Sequence, residues 1–334
     1  MTLPREAYGG YAFYPPPLLE SRTFAAMAKV SVIGAGNVGA TAADVIARSN
    51  FCHEVVLLDV KEGLAEGKAL DIAQTSPLLG FDTKIRGVTN DYKAIADSDI
   101  VVITAGRPRS PGMSRDDLVH VNAEILKSVI EPAIFYAPNA IFIIVTNPLD
   151  TMAYYAYKLS KLPSQRVIGM AGVLDTARYR YFIAQELGCS VQDIEAMLLG
   201  GHGDTMVPLP RYSMVGGIPV TNLVPKDRLD AIIERTKFGG GEITKLIGTS
   251  AWYAPGTAIA QMVASIILDQ KRILPCSVYL NGQYDLHDIY LGVPIKLGHN
   301  GVEEIIQLAL NDEEKALLHQ SAEAVRSMNA VLRF

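Results

Sequence analysis

The chain has few cysteines, no long apolar run and only a small net charge. Its three cysteines, Cys52, Cys189 and Cys276, form no closely spaced pair typical of a metal site, and their odd number argues against a framework of disulfides. We therefore expect free thiols in a reducing compartment, which predicts a cytoplasmic protein. No apolar stretch approaches the roughly 18 residues that cross a membrane, so no membrane partner is expected.

The charge balance also excludes some functions. The 334 residues carry a formal net charge of −5, which gives no support to nucleic-acid binding, because that function usually needs a basic face. Hydrophobic residues make up 49% and charged residues 19%, a composition typical of a globular protein with a large core. The length suffices for one large domain or two ordinary ones.

Residues 1–27 differ in composition from the rest. They contain the run Pro15 to Pro17, several aromatic residues and both signs of charge, without the apolar run of a secretory signal. The acidic residues count against a transit peptide. We predict a poorly ordered N-terminal arm over residues 1–27, with the ordered fold beginning at the strand that follows.

Short apolar segments alternate with helical patterns in the first half. Strands are predicted at residues 29–33, 53–59, 84–88, 99–104, 140–146 and 166–170. Because most of these segments are apolar along their length, helices should cover both faces of a parallel sheet. The pattern predicts an α/β fold with a doubly wound parallel sheet over residues 28–171.

After about residue 172 the pattern changes. Helices are predicted at 174–187, 225–247, 252–268 and 312–331, with short β-rich pieces around 195–199, 206–215, 218–220, 277–280 and 288–294. We assign residues 172–334 to an α+β substrate domain. No long linker separates the halves, so we expect them to share a cleft.

A glycine-rich turn joins the first predicted strand to the first predicted helix. Its residues are Gly34, Ala35, Gly36, Asn37, Val38 and Gly39. The first glycine permits the tight turn, the second lets the backbone approach a pyrophosphate, and the third lets the helix pack on the strand. Asp59, at the end of the second strand, would bind the ribose hydroxyls and repel a 2′-phosphate. The pattern predicts a Rossmann-type domain that binds NAD rather than NADP; a plain αβ turn with a solvated acid is the alternative.

A histidine lies among glycines near the end of an apolar segment. Gly201 and Gly203 flank His202 and leave its imidazole free to face a cleft. A pKa near neutrality suits histidine for giving and taking a proton. Asp175, in the first turn of a predicted helix, could orient the ring and raise its pKa. The alternative is that Asp175 only stabilises the helix N-terminus, by up to about 1 kcal/mol.

Arginines occur at two places where a carboxylate could bind. Arg178 follows Asp175 by three residues, so one helix face could present both side chains. A guanidinium matches a carboxylate with two parallel hydrogen bonds. Arg107, Arg109 and Arg115 lie in a segment rich in Gly, Pro and Ser that follows a parallel strand and could close as a lid. A surface ion pair and a solvated basic loop are the alternatives.

On these residues the chain resembles the NAD-dependent lactate/malate dehydrogenase family over about residues 28–334, and most closely its lactate-dehydrogenase-like malate dehydrogenases. The matching segments are the glycine turn, Asp59 and residues 104–106, 108–115, 145–148, 172–178 and 201–204. Several long motifs in the right order make the resemblance specific.

The resemblance implies roles for the residues of the reaction. His202 would be the acid/base and Asp175 its partner, Arg115 would polarise the substrate carbonyl, and Arg178 would bind the C1 carboxylate. At the position of Arg109, arginine goes with oxaloacetate and glutamine goes with pyruvate. The resemblance therefore implies reversible oxidation of (S)-malate to oxaloacetate.

The resemblance also implies contacts around the cofactor. Asn147 would hydrogen-bond the reacting oxygen, Asn122 would lie close to cofactor and substrate, and Val145 and Thr146 would contact the cofactor. It implies NAD as cofactor, a small dicarboxylate as substrate, no metal, and a homo-oligomer, either dimer or tetramer.

Two features depart from the family pattern. Arg107 stands where an uncharged residue is usual, and residues 1–27 have no counterpart. An L-lactate dehydrogenase on the same machinery and a non-catalytic NAD-binding protein on the same fold stay open as alternatives.

Overall fold

The computed structural model describes residues 27–108 and 114–334 of the chain. The predicted N-terminal arm, apart from Met27, and Arg109 lie outside the described residues.

Parallel strands and helices alternate through the first half, as predicted. The strands are β1 (Lys29–Ile33), β2 (Glu54–Asp59), β3 (Lys84–Thr89), β4 (Ile100–Ile103), β5 (Ile141–Ile144) and β6 (Val167–Gly169). The helices are α1 (Asn37–Arg48), α2 (Leu64–Gln74), α3 (Ser76–Leu79), α4 (Arg115–Tyr136) and α5 (Leu149–Ser160). The strand order β3-β2-β1-β4-β5-β6, with parallel pairing throughout, confirms the predicted Rossmann-type doubly wound sheet.

The second half adds strands to the same sheet and also forms a separate three-stranded sheet. The strands of this half are β7 (Ile194–Glu195), β8 (Leu198–Gly200), β9 (Met206–Pro208), β10 (Met214–Val215), β11 (Ile218–Pro219), β12 (Arg272–Leu280), β13 (Ile289–Gly298) and β14 (Gly301–Ile305). Its helices are α6 (Gly172–Leu187), α7 (Lys226–Ile247), α8 (Tyr253–Ile267) and α9 (Asp312–Asn329). In the three-stranded sheet, β10 pairs with β7 and β11. Because β12 pairs antiparallel with β6 at Ser277 and Gly169, the sheet continues through β12-β13-β8-β9 and the two halves meet edge to edge.

The core lies on both faces of this sheet. Along β4, Ile100 and Val102 belong to one apolar cluster, while Val101 and Ile103 belong to the cluster on the other face. All four side chains are fully buried, and burying each contributes about 1.5–3 kcal/mol. This two-sided burial is the reason the strand is apolar at every position.

The strand order reverses between β1 and β4, which pair with each other. The carboxyl end of β1 leads into the glycine turn, and the carboxyl end of β4 leads into residues 104–108. A crevice at such a reversal is the usual ligand position in doubly wound sheets.

Two predictions need correction. The composition places Arg115 in the Gly-, Pro- and Ser-rich segment that could close as a lid, but Arg115 is the first residue of α4. The reason is a capping box: the Ser114 hydroxyl accepts the Asp117 N–H at 3.0 Å, and the Asp117 carboxylate accepts the Ser114 N–H at 3.1 Å. The strand β14 has no counterpart among the predicted strands. Within the described ranges, no helix has both the length and the apolar composition to cross a membrane.

Candidate active site

The glycine turn is packed tightly at its first and third glycines and open at its second. Gly34 has φ +108°, and a Cβ there would lie 2.7 Å from the Ala105 nitrogen. A Cβ on Gly39 would lie 1.8 Å from the Gly34 carbonyl oxygen, so neither position accepts a side chain. A Cβ on Gly36 would meet nothing within 4 Å. The space above Gly36 is therefore open to a ligand that approaches the backbone closely.

The start of α1 borders this open space. Gly36 is the N-cap residue, and no side chain caps the helix. The first N–H groups of α1 accordingly have no side-chain cap, and the helix dipole favours an anion at this end. A pyrophosphate fits such a position.

Asp59 lies beside the turn, at the end of β2. Its Oδ2 accepts the Ala35 N–H at 2.6 Å, and its Oδ1 accepts the Lys61 N–H at 2.9 Å. Lys68 donates to the Ala35 carbonyl at 2.9 Å, so both backbone polar groups of Ala35 have side-chain partners. The carboxylate is thus held at the edge of the crevice, where hydroxyl groups of a ribose would meet it.

Asn122 and Thr146 join the segments that follow β4 and β5. Asn122 is fully buried; its Oδ1 accepts the Arg107 N–H at 2.7 Å, and its Nδ2 donates to the Arg107 and Asn147 carbonyls at 3.0 and 2.6 Å. The Thr146 hydroxyl donates to the Ala105 carbonyl at 2.6 Å. These bonds fix the backbone on both sides of the crevice and leave the Asn147 side chain at the surface.

Val145 and Arg107 differ in their exposure to solvent. Val145 is half-buried and packs against the main apolar cluster, while Arg107 is exposed to solvent.

His202 and Asp175 form a hydrogen-bonded pair. The distance from His202 Nδ1 to Asp175 Oδ2 is 2.7 Å, and the two side chains are 20% and 1% exposed. Asp175 lies in the first turn of α6, and His202 follows β8. Because the carboxylate occupies Nδ1, Nε2 is the nitrogen left for a substrate.

Arg178 extends this pair. Its Nη1 donates to Asp175 Oδ1 at 3.1 Å, so one carboxylate serves both the imidazole and the guanidinium. The buried Nε of Arg178 has no hydrogen-bond partner among the described residues. Gly239 and Gly240 of α7 pack against this guanidinium and its stem, and a Cβ on these glycines would lie 3.3 and 3.6 Å from the nearest Arg178 atom. A carboxylate ligand would satisfy the free N–H.

The surroundings of His202 favour its protonated form. Burial of the ring acts to lower its pKa, but the charge and hydrogen bond of Asp175 outweigh burial, and the pKa of His202 is raised. Arg178 opposes the shift and Asp150 supports it. A raised pKa favours the protonated ring, which suits the reduction direction of a proton-coupled reaction.

Asp150 is a site residue that the sequence analysis missed. This carboxylate in α5 is 3% exposed; it accepts the His202 backbone N–H at 2.8 Å and the Ser277 hydroxyl at 2.7 Å. Burial raises the pKa of Asp150, against the effect of these two hydrogen bonds. The signal in the sequence is an acid placed directly after Asn147-Pro148-Leu149, at the start of an apolar helix.

Arg115 lies apart from the buried pair. Its guanidinium donates to Asp204 at 3.1 Å, and the two side chains are 66% and 50% exposed. Asp204 follows His202 by two residues, so Arg115 lies near the histidine loop but on its surface side. In the part of the chain that the structure describes, no cluster of His, Cys, Asp or Glu could hold a metal ion.

Comparison with family models gives two adjacent matches. Residues 28–169 match the lactate/malate dehydrogenase NAD-binding domain, and residues 172–332 match the lactate/malate dehydrogenase alpha/beta C-terminal domain. Together the two matches span nearly all the described residues.

Curated relatives are similar over nearly their whole length. A malate dehydrogenase from Cytophaga hutchinsonii is 62% identical over 304 residues, which cover 91% of this chain and 97% of the relative. A malate dehydrogenase from Salinibacter ruber is 57% identical over 299 residues, covering 90% and 95%.

Solved structures agree in fold. The malate dehydrogenase from Salinibacter ruber superposes with a TM-score of 0.87 at 54% identity, covering 91% of this chain and 97% of that chain. A lactate dehydrogenase from Cryptosporidium parvum, complexed with lactic acid and NAD, superposes with a TM-score of 0.88 at 40% identity, covering 91% and 98%. Both substrate classes thus occur on folds similar to this one.

Proposed function

The chain belongs to the lactate/malate dehydrogenase family, and from that premise we propose how it acts as an NAD-dependent malate dehydrogenase. The reaction is the reversible oxidation of (S)-malate to oxaloacetate. The observation that supports the proposal best is the 2.7 Å contact between His202 and Asp175, next to Arg178 with its buried, unpartnered Nε.

His202 moves the proton in this proposal. In the oxidation direction Nε2 takes the proton of the 2-hydroxyl group, and in reduction it returns that proton to the carbonyl oxygen. Asp175 keeps a proton on Nδ1 of the neutral ring, which leaves Nε2 free to accept one, and it stabilises the imidazolium that then forms. The raised pKa of His202 keeps the ring ready to donate to oxaloacetate.

Three arginines bind and polarise the substrate. Arg178 pairs with the C1 carboxylate, which would satisfy its free Nε. Arg109 pairs with the second carboxylate, and Arg115 polarises the 2-oxo group. For this role Arg115 must exchange Asp204 for substrate, and the exchange costs at most about 1 kcal/mol because both side chains of the present pair are exposed.

The cofactor would lie in the crevice at the reversal of strand order. The open space over Gly36 and the start of α1 would hold the pyrophosphate, and Asp59 the adenosine ribose. Bound NAD supplies the chemistry of hydride transfer at C2 of the substrate. We propose that the Gly34–Gly39 turn, Val145, Thr146 and Asn147 line this site, with Asn147 directed to the reacting oxygen. Asn122, close to cofactor and substrate but fully buried, would support the site through the backbone of Arg107 and Asn147.

Two units of the chain divide these tasks in the proposal. Residues 28–171 bind the cofactor and residues 172–334 provide the acid/base pair and Arg178, in agreement with the ranges of the two family matches.

We also propose a homo-oligomer, either dimer or tetramer. Support comes from large apolar side chains exposed on α2, α3 and the α7–α8 junction: Leu70, Leu78, Leu79, Leu246, Ile247 and Tyr253.

We propose a cytoplasmic location, which the three free cysteines suit. We also propose that the enzyme acts in the tricarboxylic acid cycle.

Steady-state kinetics with NADH test the function. We expect kcat/KM for oxaloacetate to exceed that for pyruvate by at least about 100-fold, since pyruvate would leave an arginine without its carboxylate partner. NADPH in place of NADH should be a poor cofactor because of Asp59. A preference for pyruvate would identify an L-lactate dehydrogenase instead, and no turnover of any 2-oxo acid would indicate a non-catalytic NAD-binding protein.

A further inference from the structure

A second buried carboxylate lies next to the acid/base pair. Asp150 of α5 is 3% exposed, yet its contacts go to the histidine loop and to β12: Oδ2 accepts the His202 N–H at 2.8 Å, and Oδ1 accepts the hydroxyl of the fully buried Ser277 at 2.7 Å. It thus joins α5, β12 and the loop after β8 at one point.

Burying an acid is costly unless its charge is compensated. A serine or asparagine side chain could satisfy the same backbone N–H at lower desolvation cost. The acid at position 150 therefore indicates that a negative charge is useful there. Burial raises the pKa of Asp150, while the hydrogen bonds from Ser277 and from the His202 N–H, together with the His202 charge, act to lower it and so favour the carboxylate.

The charge has a nearby cation to act on. The groups that act electrostatically on the His202 ring include Asp175 and Arg178 of α6 and Asp150 of α5. Arg178 disfavours the protonated ring, while the two carboxylates favour it. Asp204, two residues after His202, is paired with Arg115 at the surface. Asp175 divides its two oxygens between His202 and Arg178, so part of its charge is balanced by the arginine.

We propose that Asp150 is a positioning residue with two effects on His202: it holds the backbone of the histidine loop, and it supplies a second negative charge that stabilises the imidazolium during turnover. The inference rests on the proposed acid/base role of His202. The loop geometry supports it, since a Cβ at Gly201 would lie 3.4 Å from Asp150 Oδ2 and 2.7 Å from Thr205 Oγ1, which leaves little room for the loop to shift.

The test is Asp150→Asn, which keeps the shape of the side chain and removes the charge. Oxaloacetate reduction needs protonated His202 and malate oxidation needs neutral His202, so the two pH profiles of kcat/KM depend on the same proton. In Asp150→Asn we expect the apparent pKa of the reduction profile and that of the oxidation profile to fall together by about one unit. Between the old and new pKa values, oxaloacetate reduction should then lose up to about tenfold in rate. A purely structural role would lower both activities without moving either profile.

Ser277→Ala is the matched control. It removes one hydrogen bond of Asp150 and leaves the carboxylate and its contact with His202 in place. We expect its profiles to move much less than those of Asp150→Asn. Because the Ser277 hydrogen bond acts to lower the pKa of Asp150, a smaller shift in the same direction in Ser277→Ala fits the proposal. No shift in Asp150→Asn would overturn it, because the charge of Asp150 would then not act on His202.

NMR gives a readout that does not depend on turnover. In the cofactor-free protein, the imidazole titration of His202 should move to lower pH in Asp150→Asn, by the same amount as the kinetic profiles. If that variant does not fold, the 13Cγ resonance of Asp150 in wild-type protein labelled with 13C-aspartate decides the question. An ionised side chain at neutral pH that responds to the His202 titration supports the proposal, and a protonated one overturns it.

The two proposals fail in different ways. Wild-type protein that turns over neither oxaloacetate nor malate would refute the role of His202. An active wild type with unmoved variant profiles would refute the role of Asp150 alone.

Discussion

Replacing Asp175 with asparagine tests the acid/base pair most sharply. The carboxylate is 1% exposed and accepts hydrogen bonds from His202 Nδ1 at 2.7 Å and from Arg178 Nη1 at 3.1 Å. An amide presents one oxygen and one NH2 group, so it can accept from only one of these two donors while its own NH2 faces the other. The variant therefore misplaces the imidazole or the guanidinium, in addition to losing the charge.

The size of the effect follows from the distance. Two charge centres about 4 Å apart attract by about 4 kcal/mol at an effective dielectric constant of about 20. At about 1.4 kcal/mol for each factor of ten, full loss of that attraction in the transition state slows the reaction about 10³-fold. Because Asp150 still favours the imidazolium in this variant, we expect a loss in kcat/KM for oxaloacetate of about 10²- to 10³-fold.

The assay is NADH oxidation with oxaloacetate, followed across pH for wild type and Asp175→Asn. Binding of NADH, measured by fluorescence, serves as the control, because the glycine turn lies on the other half of the chain and should be unaffected. A loss of less than about tenfold with an unmoved pH profile would refute the reasoning. Asp175 would then only stabilise the start of α6, the alternative that the sequence left open.

Further predictions concern specificity, the cofactor turn and pH. Arg109→Gln should lower kcat/KM for oxaloacetate far more than for pyruvate, and equal losses would show that Arg109 does not bind the second carboxylate. Gly36→Ala should have the melting temperature of wild type but raise the KM for NADH about tenfold or more. Gly39→Ala, whose Cβ would lie 1.8 Å from a backbone oxygen, should lower the free energy of unfolding by about 2 kcal/mol or more. Thermal melts and NADH titration distinguish the two variants. Because the pKa of His202 is raised, its contact with Asp175 stabilises the fold fully below about pH 6.5 and loses this effect as pH rises through the raised pKa. The difference in melting temperature between wild type and His202→Asn should therefore shrink from pH 6 to pH 9, and a difference that grows would contradict the pairing.

The parallel sheet and its turn were predictable because their causes are local. Strands such as β1 are apolar at nearly every position, and Lys29–Ile33 has the predicted bounds. Gly34 is required by its positive φ of +108°, and Gly39 by a contact within the turn, since a Cβ there would lie 1.8 Å from the Gly34 carbonyl oxygen. Patterns of this kind depend on backbone geometry that any sequence with the same spacing must satisfy.

The position of Arg115 was predicted wrongly because the composition of the segment outweighed a local signal. Ser114 and Asp117 have the spacing of a capping box, and their reciprocal bonds start the helix at Arg115. The proline and glycine residues before them had favoured a longer loop. The same rule of spacing would have given the correct boundary.

The contacts that join the two halves could not be derived from the sequence. Asp150 and Ser277 lie 127 positions apart, and Asp150 and His202 lie 52 apart. The structural role of Asn122, which fixes the backbone on both sides of the crevice, likewise depends on β4 and β5 being neighbours. The antiparallel pairing of β12 with β6 brings such residues together, and no local pattern encodes it.

A crystal structure of the ternary complex with NADH and tartronate, an unreactive dicarboxylate, tests the central claim most directly. We expect His202 Nε2 to hydrogen-bond the 2-hydroxyl group while Asp175 stays on Nδ1, and Arg178 and Arg109 each to bind one carboxylate. A second carboxylate in solvent without an arginine partner, or an imidazole turned away from the ligand, would contradict it.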